Sequence, residues 1–235
     1  MRPERLVSVT GWSMDEHPEG WRFGNRPRVT ESDQLESIIE LRPDLVIVSN
    51  FADEAHMARL REAGVAVFDL GQTLGIQTTL ASIDILGRLV RRPEQARRLA
   101  RAYQRDVGAL EHALQGRKKQ RGLYLTIYQD MIMGGTIGTS YADLLRLGGV
   151  EDLAASGGFK GWPKLTPEQL LAIDPPLVIT QPGMGKVLCG LSQLSSLRAC
   201  GSGRIIELAE AYHSDPGLGL VEAAQDLQDH LAGRK

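Results

Sequence analysis

The residues of this chain whose types could do chemistry are five histidines, two cysteines and one glycine-rich turn. His17, His56, His112, His213 and His230 show no HExxH or related ligand spacing, so no zinc site assembles locally. A metal ion would need ligands converging from distant segments, for which His17, His213 and Asp215 offer themselves. The turn GGTIGTS, Gly134–Ser140, lacks the lysine that a phosphate loop places before its Ser or Thr, and no G-x-S-x-G elbow occurs. Cys189 and Cys200 are too sparse for a metal knuckle, and they bridge only if their Cα atoms come within about 7 Å, which sequence spacing does not report. No catalytic residue, resident metal or built-in cofactor is expected from these elements.

Composition closes off other classes. With 27 basic and 29 acidic residues the chain has no basic field to attract nucleic acid or an anionic membrane surface. No apolar stretch reaches the ~20 residues of a membrane span, and the opening MRPERLVSVT has no apolar run of the kind an export signal uses.

The elements that must position any site follow from periodicity. Short β-branched runs alternate with helix-length amphipathic stretches, the pattern of parallel sheet covered by helices. Strands are predicted at Arg5–Thr10, Leu45–Ser49, Val65–Leu70, Gly122–Tyr128, Leu177–Thr180 and Arg204–Leu208. Helices are predicted at Gln34–Leu41, Asp53–Ala63, Tyr141–Leu147, Pro167–Ile173 and Leu218–Leu231. Gln77–Gln115 has almost no turn chemistry and reads as one long helix or two in tandem, with a break near Arg91–Pro93, because proline fits a helix best at its first position. The fold class is α/β, two Rossmann-like lobes with mainly parallel sheets joined by a long α-helix. Residues 1–75 form the first lobe, 76–116 the connecting helix and 117–235 the second lobe.

The lobes carry a repeat. At an offset of 132, Glu36 aligns with Glu168, Leu41 with Ile173, Pro43 with Pro175, Leu45 with Leu177 and Ile47 with Ile179. Each copy is a short helix stopped before a proline and followed by a buried strand. In open α/β sheets ligands bind outside the carboxyl ends of the strands. Two such lobes would enclose a cleft, making Trp12, Ser49, Asn50, Tyr128, Gln181, Tyr212 and His213 the candidate lining.

Four stretches in order, LESIIELRPDLVIVSN, LREAGVAVFDLGQTLGIQTTLASIDILGRLVRRPEQARRLARAYQ, GTSYADLLRLGGVEDLAASGGFKGWPKLTPEQLLAIDPPLVIT and GRIIELAEAYHSDPG, resemble the cobalamin and ferric-siderophore binding proteins of ABC importers. These form the helical-backbone class of periplasmic binding proteins. The resemblance implies a rigid bilobed, monomeric, exported protein that carries cobalamin, a ferric siderophore or haem to an importer permease. It implies that Glu36 and Glu168 dock on permease arginines, and that Trp162, six residues before Glu168, lines the cleft with Tyr212 and His213. It also implies that the first lobe opens without the strand-helix unit such proteins usually place ahead of RLVSVTGWS. Two other readings share this architecture, a binding protein for zinc or manganese ions and a reduced module that keeps partner contacts without a ligand.

Overall fold

The computed structural model describes residues 5–10, 24–29, 35–49, 53–209 and 217–234. The described chain is mixed α/β, with every strand pair parallel except one hairpin. It divides into two compact units, one of residues 1–73 and 80–98, the other of residues 74–79 and 99–235.

In the first unit, β1 (Val9–Thr10) pairs with β2 (Arg28–Val29). After α1 (Leu35–Glu40), β3 (Val46–Val48) pairs with β4 (Val67–Asp69) across α2 (Glu54–Glu62). The Asp53 carboxylate accepts the Ala55 N–H at 2.9 Å and starts α2, satisfying one of the free donors of a helix N-terminus. Gly64 follows in the left-handed region at φ 84°, where glycine has no Cβ to clash. The RLVSVT segment is strand only at Val9–Thr10, shorter than its β-branched composition predicts.

The helical stretch that follows is two helices in tandem, α3 (Ile76–Leu89) and α4 (Pro93–Ala113), broken where Pro93 predicts. The chain turns at Arg91, φ 56°, and Pro93 opens α4, where its missing N–H leaves no bond unmade. Within the second unit, the first turn of α3 is held by Asp143, whose Oδ2 accepts the Ile76 N–H at 2.9 Å. A Cβ at Gly75 would lie 2.4 Å from that oxygen, so only glycine fits there. Arg146 pairs with Asp143 at 3.0 Å and with Glu111 at 2.6 Å. Burial disfavours its charge, but hydrogen bonds to both carboxylates outweigh that and hold its pKa above the ordinary arginine value.

The second unit is built on a five-stranded sheet of order β6-β5-β8-β9, with β7 pairing β5 beside that path. These strands are β5 (Gln120–Tyr128), β6 (Met131–Gly135), β7 (Val150–Asp152), β8 (Val178–Thr180) and β9 (Ile205–Glu207). The described helices of this unit after α4 are α5 (Ser140–Gly148), α6 (Leu153–Ser156), α7 (Pro167–Ile173), α8 (Met184–Gly190), α9 (Arg198–Gly201) and α10 (Gly219–Leu231). Side chains alternate along β5. Leu123 and Leu125 enter one core with Ile132, Leu170, Val178, Leu188, Leu194 and Leu197. On another side α5 packs against α10 so closely that a Cβ at Gly148 would meet Leu227 Cδ2 at 2.3 Å. Buried Gln228 donates to the carbonyls of Leu110 and Leu147, at 3.1 and 2.7 Å, and so ties α10 to α4 and α5.

Cys189 and Cys200 form a disulfide with Cα atoms 5.5 Å apart, joining α8 to α9. Among the described residues no helix is long and apolar enough to cross a membrane.

Candidate functional site

The even-numbered residues of β5, which point away from the leucine core, make the face where the candidate residues gather. Tyr124 begins it, buried to 1% exposure, with the ring of Tyr141 from α5 stacked on it at 3.7 Å between centroids. Thr126 comes next and Tyr128 last, 61% exposed at the strand's end. The hairpin register sets Gly135 opposite Tyr124, Met133 opposite Thr126 and Met131 opposite Tyr128, so these share the face. Both methionines are half-buried.

Trp162 sits at the Tyr124 end. The chain from Gly161 to Leu165 runs beside β6: Thr136 N–H donates to Gly161 O at 3.1 Å, Gly134 N–H to Pro163 O at 2.8 Å and Leu165 N–H to Ile132 O at 2.9 Å. These rungs bracket Trp162 and fix its backbone. Its ring meets Tyr141 edge-on at 5.3 Å, the arrangement aromatic quadrupoles favour, yet stays 44% exposed. A large indole held rigidly and left open is the kind of group that binds an apolar ring. Buried Thr136 supports this end from below, donating to Asp152 Oδ2, while Asp152 Oδ1 caps α6 through the Ala154 and Ala155 N–H groups at 2.9 and 3.2 Å.

Gln181 supplies the polar element, just past the carboxyl end of β8, where its Oε1 accepts the Thr126 hydroxyl at 2.6 Å. The loop after it is pinned by Glu207, whose two carboxylate oxygens accept the Gly183 and Gly185 N–H groups at 2.9 Å each. The side-chain amide of Gln181 is thereby positioned while still partly exposed.

The structure thus brings Tyr128, Trp162 and Gln181 onto one surface. Ser49 is exposed just past β3, in the first unit. Trp12, Asn50, Tyr212 and His213 lie outside the described residues. Glu36 and Glu168 are exposed in the first turns of α1 and α7. In α7 the Thr166 hydroxyl accepts the Gln169 N–H, and Gln169 Oε1 accepts the Thr166 N–H at 2.9 Å, a complete capping box. Hydrogen bonds from the Glu168 backbone N–H and then from Thr166 hold the Glu168 carboxyl below the usual glutamate range. Thr126, Met131, Met133 and Gly135 share this face and were not singled out from the sequence. Their signal was the alternation of MIMGG against GLYLTIY, which only the hairpin register makes visible. Among the described residues no group of three or more His, Cys, Asp or Glu is placed to hold a metal ion.

The family model described as periplasmic binding protein matches residues 23–212, and the chain belongs to that family. It is 24% identical over 237 residues to the vitamin B12-binding protein of Pectobacterium atrosepticum, covering 99% of this chain and 82% of that one. It is 19% identical over 203 residues to an uncharacterised ABC transporter substrate-binding lipoprotein of Bacillus subtilis, covering 84% of this chain and 64% of that one. Its fold matches the apo structure of the periplasmic heme-binding protein RhuT from Roseiflexus sp. RS-1, with a TM-score of 0.81, 21% identity, and coverage of 94% of this chain and 88% of that one.

Proposed function

We propose that this chain is the substrate-binding protein of an ABC importer, exported to the periplasm or cell surface, and that it binds a metal chelate (cobalamin, haem or a ferric siderophore) and hands it to the permease without catalysing a reaction. The observation that carries this reading is the alignment of Trp162, Met133, Met131 and Tyr128 along one sheet face, with the polar pair Thr126 and Gln181 beside it. From Gly135 to Met131 the strand advances about 13 Å at ~3.3 Å per residue. That length suits a large ring with an apolar face and exceeds what one coordinated ion would use. Methionine adds adaptability, because its unbranched thioether repacks against irregular surfaces. Family membership supports the transport role, and the disulfide fits an oxidising compartment.

In this reading residues 1–75 and 117–235 act as two lobes joined by 76–116, the protein works as a monomer, and Glu36 and Glu168 dock on permease arginines, whose planar forks match carboxylates. In the same reading Ser49, Trp12, Asn50, Tyr212 and His213 remain the other lining candidates that the sequence offers.

The test is a titration of the purified protein with cyanocobalamin, haemin and ferric siderophores, followed by absorbance and intrinsic fluorescence and repeated on Trp162→Ala. One ligand is expected to saturate, with affinity reduced at least about tenfold, or ~1.4 kcal/mol, in the variant. Saturable zinc or manganese binding with no response to any chelate would replace this reading with that of a metal-ion carrier.

A further inference from the structure

Two glycines close β6, and neither has a positive φ, so backbone conformation does not require either of them. Space does, and it differs between the two. A Cβ at Gly134 would touch Pro163 Cγ at 3.3 Å and Leu165 Cδ1 at 3.4 Å, so that glycine lets the 161–165 segment lie against the strand. A Cβ at Gly135 would lie 3.0 Å from Tyr141 Cδ2, 3.1 Å from Trp162 Cζ3 and 3.1 Å from Tyr124 Cδ1, where three aromatic rings converge. Comfortable carbon contacts are about 3.5–4.0 Å, so an added methyl forces a ring to move.

The three rings are not equally free. Tyr124 and Tyr141 are 1% and 7% exposed and stacked on each other inside a close-packed interior. Trp162 is 44% exposed and meets Tyr141 only by an edge, so it is the ring that would give way. We propose that Gly135 is a positioning residue for ligand recognition: its missing side chain seats the Trp162 indole against the sheet, in line with Met133 and Met131. This rests on the reading of that face as the ligand surface. A rigid macrocycle contacts the strip at both ends together. Tilting the indole at one end costs it either the tryptophan or the methionines, whereas the tyrosine pair beneath is part of the fold whether or not ligand binds.

Gly135→Ala, Trp162→Ala and the double variant are compared with the unaltered protein by near-UV circular dichroism and by titration with haemin and with cyanocobalamin. Far-UV spectra and melting temperatures record the fold. Gly135→Ala is expected to keep its far-UV spectrum and to lose the same near-UV aromatic signal that Trp162→Ala loses. It weakens whichever probe binds by about fivefold to tenfold, or ~1–1.4 kcal/mol. The double variant binds no more weakly than Trp162→Ala, because with the indole gone there is nothing left to misplace. An unchanged near-UV spectrum in Gly135→Ala overturns the proposal without need of any ligand, as does full affinity in Gly135→Ala where Trp162→Ala has lost it. Equal affinity of Trp162→Ala and the unaltered protein overturns the ligand-face reading and the proposal with it. If Gly135→Ala does not fold, recovery of folding in the double variant assigns the clash to Trp162, and failure to recover assigns it to the buried tyrosines and refutes the positioning role.

Discussion

Arg42 and Asp174, 132 positions apart, each end a short helix in the left-handed region, at φ 46° and 42°, immediately before a proline. The elements around them keep the same offset. Leu35 and Pro167 begin the two helices, and Val46–Val48 and Val178–Thr180 are the strands that follow. A left-handed non-glycine residue costs about 1 kcal/mol, yet both copies accept one, because the chain must reverse out of the helix before Pro43 or Pro175 can enter the strand. The repeat therefore extends to backbone conformation as well as residue type.

The two positions should answer differently to glycine. Arg42→Gly relieves the left-handed strain and loosens the unfolded chain by a similar amount, so the net change is expected within about 0.5 kcal/mol. Asp174→Gly also removes the carboxylate that accepts the Arg198 N–H at 3.0 Å and pairs with its guanidinium at 2.6 Å, which caps α9. A loss of about 1–2 kcal/mol is expected there, as for other helix caps. Urea denaturation of both variants decides it, and equal changes would mean that the Asp174 cap contributes nothing.

The repeat was legible because proline and leucine spacing act locally. Pro167–Ile173 and its proline stop are set by residues within a few positions of each other, so sequence and structure agree on that helix. The β5–β6 hairpin was not legible. Its turn, Gln129–Asp130, takes positive φ at both residues, 47° and 62°, without the glycine that normally marks such a turn. Its second strand ends in two glycines, which read as loop. The break at Arg91 was legible through Pro93, whereas the packing of Trp162 against Tyr141 was not. Its seat depends on Gly135 and Tyr141, brought to it by strand register and by α5. Local punctuation reads from sequence, and convergence of distant side chains does not.

The disulfide closes a short loop between two small helices, and Cys200 packs partly into the leucine core. Restricting the unfolded chain in a loop of that length contributes about 2–3 kcal/mol. Cys200→Ser, or the unaltered protein in excess reductant, is expected to melt lower by several degrees. A melting temperature insensitive to reductant would show that the leucine core alone holds α8 and α9 together.

Two helical glycines should respond with opposite sign to alanine. At Gly148 a Cβ meets Leu227 at 2.3 Å, so Gly148→Ala pries α10 from α5 and is expected to cost about 1–3 kcal/mol. Gly108, in α4, has nothing within 4 Å of its would-be Cβ, and alanine there should stabilise by about 0.5–1 kcal/mol through helix propensity. Chemical denaturation of the pair checks both the close helix contact and the exposure of that face of α4. Destabilisation by Gly108→Ala would contradict the open surface drawn for it.

Glu168 joins a helix cap to the docking role proposed for it. Its carboxylate accepts from its own backbone N–H first and from Thr166 second, and both bonds favour the ionised form, so its folded-state pKa lies below the ordinary glutamate value. The sign follows directly. A carboxyl whose pKa is depressed by folding adds to stability above its unfolded pKa, and the contribution disappears as pH falls through the lower folded value. The same ordering keeps Glu168 anionic to lower pH than an ordinary glutamate, so the permease contact proposed for it should persist further into acid. Carbon-detected NMR titration of the Glu168 carboxyl is expected to give a midpoint below the usual glutamate range. Thr166→Val should move that midpoint part of the way back up, while costing about 1 kcal/mol of stability through the lost cap. A midpoint at or above the ordinary value would show that these hydrogen bonds do not lower its pKa and leave Glu168 an ordinary surface carboxylate.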